Sequence, residues 1–324
     1  MQTSTYLWPG TVHFGFGVAG LVGQETIRRE AKSAFIIVDP GVMKAGLLDV
    51  VLDSLYAVKV LFTIHDKVVA NPDVESVQTA VRSFRESKAD VVIGVGGGSA
   101  LDTAKAVKLM VGGPASATAW DYANMLGDER RPLPPAHKMP PYIAIPTTAG
   151  TGAEVTPWAV ITREDGQKFG VGDVVTFPDV ALVDPALTLT LPPFLTAATG
   201  MDALSHLIEA YVSTNHNPIL DPMILYGIEL VGRSLRTAVA RGDNKQAREE
   251  MMQASLIGGL AISSKWLGAT HSLAHPLSGL AGLHHGLACA MMLPHQMRYS
   301  LVGAMERYGE VMRRLGDEGM RGEG

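Results

Sequence analysis

Asp202 and His206 stand four residues apart in TGMDALSHLIEAY at 199–211, and His271 and His275 repeat that spacing in HSLAHPLSG at 271–279. On a helix this spacing puts both side chains on one face, a turn apart. His284-His285-Gly286 follows, so four of the ten histidines fall within 271–285. Carboxylate oxygen and imidazole nitrogen are suitable donors for zinc or ferrous iron. A lone histidine is more often a hydrogen-bonded polar residue than a ligand, and one Asp-x-x-x-His pair is a weak signal. Two such pairs and a further histidine cluster, in a segment otherwise dominated by apolar residues, point to one bound divalent ion. Spacing alone leaves His284 and His285 open as its last ligand.

A second chemistry lies in two glycine-rich loops. Gly96-Gly97-Gly98-Ser99-Ala100-Leu101-Asp102 follows the apolar run VVIGV at 91–95 and precedes a helical stretch. Glycines let the backbone approach a ligand closely, and a helix start offers unpaired N–H groups and the positive dipole end to a pyrophosphate. Ser99 and Asp102 form a capping pattern that predicts the helix starts there. The loop is not a G-x-G-x-x-G fingerprint, and alone it reads equally well as a tight structural turn. Pro146-Thr147-Thr148-Ala149-Gly150-Thr151-Gly152 follows another short apolar run, at 142–145. Two such loops at one carboxyl edge suit a dinucleotide better than a lone phosphate. Asp39 ends a third run, AFIIV at 34–38; an acid there accepts from ribose hydroxyls and repels a 2′-phosphate, which favours NAD over NADP. Asp39-Pro40-Gly41 is also a good turn sequence in its own right.

These residues must be positioned by a scaffold whose character changes along the chain. The first half alternates short β-branched runs, predicted as strands at 34–38, 59–64, 91–95 and 142–145, with helical patterns such as 74–87. That alternation implies a parallel, doubly wound sheet. Leu191-Pro192-Pro193 is a natural break, and beyond it the strand signals nearly vanish. Segments at 194–213, 218–240, 245–263, 267–280 and 285–315 have helical composition. The reading is an α/β dinucleotide-binding domain over 1–190 followed by an all-helical metal-binding domain over 191–324, and 324 residues suit two domains.

Composition narrows the partners. A net charge of −5 provides no basic stripe, which argues against nucleic acid. The single cysteine, Cys289, excludes an internal disulfide framework and fits a reducing compartment. The first ten residues lack the basic and apolar regions of a secretory signal, and no apolar run approaches the roughly 18 residues of a spanning helix. A cytoplasmic protein with no membrane partner is expected.

Taken together, the motifs resemble the iron-containing (group III) alcohol dehydrogenases. GGGSALDTAKA at 96–106, PTTAGTGAEVT at 146–156, VDP at 183–185, the two histidine motifs and HHGLACAMMLPHQM at 284–297 occur in family order and spacing over nearly the whole chain. The resemblance implies a Rossmann-like N-terminal domain, a helical C-terminal domain of dehydroquinate-synthase-like architecture, and a homodimer. It implies Asp202, His206, His271 and His285 as metal ligands, choosing His285 over His284, and His275 as a further active-site histidine near the substrate. Cofactor contacts carry over to Asp39, Gly97, Gly98, Ser99, Asp102, Thr147, Thr148, Thr151 and Lys168, with Asn71 near cofactor and substrate. The implied reaction is reversible hydride transfer between a primary or small secondary alcohol and NAD or NADP. A divalent ion, Fe2+ ahead of Zn2+, polarises the substrate oxygen.

Rival readings stay on the same scaffold or leave catalysis altogether. The Asp202–His206 pair argues against a metal-free maleylacetate-reductase-like enzyme; Ser99 and the TTAGTGAEVT loop argue against a glycerol-dehydrogenase-like one. A dehydroquinate-synthase-like lyase needs more basic residues, while a metallohydrolase or a non-catalytic binding form would use the same ligands. Family members run on for several helices past the point where this chain stops. Part of the substrate-pocket wall is therefore expected to be missing, and 315–324 reads as a loop.

Overall fold

The computed structural model describes residues 4–316, which divide into two compact units. The first comprises 9–147 and 153–187. It holds strands β1 (Thr11–Phe14), β2 (Ser33–Val38), β3 (Leu61–His65), β4 (Val91–Gly96), β5 (Tyr142–Pro146), β6 (Trp158–Thr162), β7 (Lys168–Gly172) and β8 (Val180–Val183). Six of them form a parallel sheet in the order β1-β8-β5-β4-β2-β3, while β6 and β7 pair as an antiparallel hairpin. Helices α1 (Val22–Arg28), α2 (Pro40–Lys44), α3 (Asp49–Ala57), α4 (Val74–Ser87) and α5 (Gly98–Gly112) connect the strands. Alternate strand residues serve opposite faces: Ile36, Ile93 and Ile143 pack with Val22, Val51 and Leu55, whereas Phe35, Val92 and Tyr142 pack with Val77, Phe84 and Leu101. Burial on both faces is why the central strands read as continuous apolar runs.

Strand order reverses between β2 and β4, since β3 extends the sheet one way and β5 and β8 the other. Val38 is in register with Val95 and Gly96 with Pro146, so Asp39, Gly97 and Thr147 leave the sheet side by side at its carboxyl edge. Such a reversal is where open α/β sheets bind ligands.

The four predicted strands and the 74–87 helix are present, with the second strand shifted to Leu61–His65. Strands β1, β8 and the hairpin were not among those expected. β1 is an incompletely buried edge strand and β8 has only four residues, so neither carries a long apolar signature.

The predicted cap at Ser99 is not formed. Helix α5 begins at Gly98, with Gly97 as an extended N-cap residue and no side-chain cap. Asp102 is drawn elsewhere: its Oδ2 accepts from the Val160 N–H at 3.0 Å and its Oδ1 from Lys105 Nζ at 3.2 Å, tying α5 to β6.

The second unit takes in 4–8, 148–152 and 188–316. It contains α6 (Pro193–Val212), α7 (Leu220–Ala240), α8 (Lys245–Lys265), α9 (Ala269–Gly279), α10 (His285–Ser300) and α11 (Met305–Arg314). Pro193 opens α6 at a position where its missing N–H costs nothing. Asn244 caps α8 by accepting from the Ala247 N–H at 3.0 Å. The helical run expected over 285–315 is broken by a 3-10 turn at Leu301–Gly303. Of the expected terminal loop, 317–324 lie outside the described residues. The segment 148–152 joins this unit although the sequence reading placed it with the sheet. Among the described residues, no helix is long and apolar enough to cross a membrane.

Candidate metal centre and dinucleotide loops

Helix α6 presents Asp202, His206 and Glu209 on one face through spacings of four and three. His271 comes from α9, and His285 is the first residue of α10. The start of α10 reaches α6 because residue 286 is glycine: a Cβ there would stand 2.1 Å from the Ala198 carbonyl oxygen. Gly286→Ala should therefore cost at least about 1–3 kcal/mol of stability and lower metal content by displacing His285. Thermal melting with metal analysis checks this, and an unchanged melt with full metal would contradict it.

The side chains converge. Asp202 Oδ1 lies 3.6 Å from His285 Nε2, 3.5 Å from His271 Nε2 and 3.8 Å from His206 Nε2. Donors about 2.0–2.2 Å from a tetrahedral ion sit roughly 3.3–3.6 Å apart, so the spacing fits one ion with slight contraction. Asp202 Oδ1 and His271 Nε2 are buried without a hydrogen-bond partner. Leaving such atoms unsatisfied is costly, and a cation between them relieves both.

The outer nitrogens are held in place. His206 Nδ1 lies 3.2 Å from the Gly150 carbonyl oxygen, so Nδ1–H donates outward and the Nε2 lone pair faces Asp202. His271 Nδ1 donates to Glu209 Oε2 at 2.5 Å, and Glu209 Oε1 accepts from the Thr270 N–H at 2.6 Å. Carbonyl–histidine and carboxylate–histidine pairs of this kind orient metal-binding imidazoles. The His206 and His271 rings stack with centroids 4.6 Å apart.

The charges of the four side chains do not all move one way: burial opposes the imidazolium of His271, but Asp202, Cys289 and Glu209 hold it well above the usual imidazole range. Burial works against the ionised form of Asp202, but His206, His285 and His271 together hold its carboxyl well below the usual carboxylate range. Burial pushes His206 down, favouring the neutral imidazole that a metal needs. Glu209 is also lowered: burial opposes its charge, and the hydrogen bond from His271 outweighs it together with His271's charge and Thr270.

His275 is half-buried, its ring centroid 5.5 Å from that of His285 and 6.3 Å from that of His271. The His284 ring packs edge-on against Phe194 at 5.8 Å. Two residues escaped the sequence reading. Glu209 lies three residues after His206 on the same helix, a signal easily taken for a solvated acid. Cys289 lies four residues after His285, and Asp202, His271, His285 and Cys289 each place one donor atom within 4.8 Å of the others.

In the sheet unit, Lys168 Nζ donates to Asn71 Oδ1 at 2.7 Å, and the Asn71 N–H donates to Ser99 Oγ at 3.4 Å. These three residues, distant in sequence, therefore meet beside Gly97 and Gly98. Gly96, at φ +153°, has its Cβ position 2.7 Å from Ala100 Cβ, so only glycine makes this turn. The Thr147 N–H donates to the Gly96 carbonyl at 3.0 Å, joining the two loops. Asp39 Oδ1 accepts from the Gly41 N–H at 2.7 Å, which caps α2. The carboxylate of Asp102 is engaged by Val160 and Lys105, as above. Thr148 and Thr151 belong to the helical unit. With no side-chain cap, the start of α5 is suited to receive an anion.

Comparison with known proteins agrees on one family. The family model for iron-containing alcohol dehydrogenase matches residues 9–185, and the model for the Fe-containing alcohol dehydrogenase family, C-terminal, matches 196–323. Long-chain-alcohol dehydrogenase 1 of Geobacillus thermodenitrificans (strain NG80-2) is 39% identical over 319 residues, 98% of this chain and 78% of that protein. The crystal structure of 1,3-propanediol oxidoreductase superposes with a TM-score of 0.91 at 36% identity, covering 98% of this chain and 81% of the other. Sulfoacetaldehyde reductase from Bifidobacterium kashiwanohense, solved in complex with NAD+, gives a TM-score of 0.84 at 31% identity, covering 98% and 87%. The chain belongs to the iron-containing alcohol dehydrogenase family.

Proposed function

We propose that this chain interconverts a primary alcohol and its aldehyde with NAD, using one ferrous ion held by Asp202, His206, His271 and His285. Family membership makes it a metal-dependent oxidoreductase acting on alcohols. The observation that carries the site assignment is the convergence of four donors, three of them buried and His285 partly so, with two inward atoms that lack hydrogen-bond partners. The preference for a primary alcohol rests on the relatives, whose names specify a long-chain alcohol, 1,3-propanediol and sulfoacetaldehyde. NAD is supported by the sulfoacetaldehyde reductase complex and by Asp39 at the edge of β2.

When bound, the ion supplies a Lewis acid for the substrate oxygen and NAD accepts or returns the hydride. The chain's own groups do the positioning. Glu209 and the Gly150 carbonyl hold His271 and His206 in the tautomers that leave Nε2 available. Gly97, Gly98, Ser99 and the α5 start receive the pyrophosphate, with Asn71, Thr147 and Lys168 around them and Asp39 and Asp102 at the edge.

His275 carries the proton between the alcohol oxygen and solvent through its imidazole. His275→Ala should lower turnover by about 10²-fold or more while metal content stays whole; parallel loss of metal would make His275 structural instead. A cytoplasmic location suits a chain with a single cysteine, and a homodimer rests on the family resemblance, which sedimentation measures directly. The decisive assay follows NADH absorbance in iron-loaded protein across a panel of primary alcohols, secondary alcohols and aldehydes. Metal and NAD binding without turnover on any of them would sink the catalytic reading.

A further inference from the structure

Cys289 is fully buried on α10, one helical turn after His285, so one stretch of backbone presents both side chains in the same direction. Its Sγ lies 3.6 Å from His285 Nε2. A zinc-type ion with sulfur at about 2.3 Å and nitrogen at about 2.0–2.1 Å, in tetrahedral geometry, has a sulfur–nitrogen edge of roughly 3.5–3.6 Å. The observed separation is that edge. Sγ also shares with Asp202, His271 and His285 a cluster in which every donor atom is within 4.8 Å of the rest. Within the cluster, Asp202 Oδ1 and His271 Nε2 are buried and unpartnered, so the thiol faces two groups that both need a cation. Cys289 also packs with Ala274 and Ala288, and a small apolar residue would serve that packing equally well. Packing therefore does not account for sulfur at this position.

We propose that Cys289 is a metal ligand in this protein. Its Sγ joins Asp202, His271 and His285 in a sphere of oxygen, nitrogen and sulfur donors. With His206, whose Nε2 is the farthest of the three imidazole nitrogens from Asp202 Oδ1, the donors number five, one more than a tetrahedral ion holds, so the thiolate and His206 share the last position between them. On coordination the S–H bond breaks, the sulfur lone pair goes to the ion and the proton leaves to solvent; nothing is oxidised or reduced. A thiolate donor shifts the site toward zinc and other borderline or soft ions and away from hard ones such as Mg2+. The proposal rests on the metal site assigned above.

Zinc K-edge absorption on the zinc-loaded full chain tests it, with metal stoichiometry measured on the same sample. The expected result is one sulfur scatterer at about 2.3 Å beside nitrogen and oxygen at about 2.0–2.2 Å. Cys289→Ser should lose the sulfur shell, keep its circular dichroism, and bind zinc at least about tenfold more weakly, a scale that even outer-sphere changes reach. Cys289→Ala provides the same comparison should serine disturb the packing. The chain has one cysteine, so a shell lost in both variants has only one source. Bound zinc with only nitrogen and oxygen neighbours, or a sulfur shell that persists in the variants, would overturn the proposal and leave the metal site standing. Failure to take up zinc or iron at all would overturn both.

Discussion

Replacing Asp202 with asparagine should strip the protein of its metal and lower alcohol turnover by about three orders of magnitude, if not more. Asp202 is the one anion among the four assigned ligands, and its Oδ1 is the atom from which the three imidazoles are spaced at 3.5–3.8 Å. Asparagine preserves the shape, but its neutral amide no longer offsets the charge of a divalent ion in a buried site. The loss of Lewis-acid assistance is worth several kcal/mol of transition-state stabilisation, and each 1.36 kcal/mol is about tenfold in rate. Metal analysis beside an NADH assay reads both effects. Near-native metal content in the variant would show that the histidines alone suffice and would remove Asp202 from the ligand set.

The second large effect is expected one layer out. Glu209→Gln should weaken metal binding by about 10–100-fold, although Glu209 is not a ligand. The carboxylate accepts from two donors, the Nδ1–H of His271 and the N–H of Thr270. Glutamine has only one acceptor oxygen, so its amide NH2 must face one of those donors. Rotation to relieve that clash turns the His271 ring or shifts its proton, and Nε2 leaves its position opposite Asp202. A competition titration against a chelator measures the affinity; an unchanged constant would reduce Glu209 to a packing role.

The difference between these residues explains what was legible in the sequence. Asp202, His206, His271 and His285 stood out because the i,i+4 spacing of a helix is visible without coordinates, and the family motifs selected His285 over its neighbour. Glu209 obeys the same periodicity, yet acids on helices are usually solvated, and only the burial of α6 makes this one an orienting group. Cys289 keeps the same i,i+4 spacing from His285, but a cysteine alone speaks first of compartment, and its approach to Asp202 depends on how α10 closes on α6 at Gly286. The long, doubly buried strands β2, β4 and β5 were readable as apolar runs, whereas β8 is a four-residue strand held between β5 and β1, and β1 is an edge strand paired with β8 alone. Ser99 shows the opposite failure. Its capping pattern was genuine, but Val160 and Lys105 compete for Asp102 and win, so the helix starts at glycine instead.

The segment 148–152 has a consequence for how this protein can be cut and inherited. It is flanked on both sides by chain of the sheet unit, yet it belongs with the helices and supplies the Gly150 carbonyl to His206, 56 positions later. A fragment beginning at residue 188 would carry every proposed metal ligand and still lack the oxygen that sets one imidazole's tautomer. The helical half is therefore not a complete module: a cut at the visible break near Leu191-Pro192-Pro193 would hand on the ligands and Glu209 but not the carbonyl that orients His206.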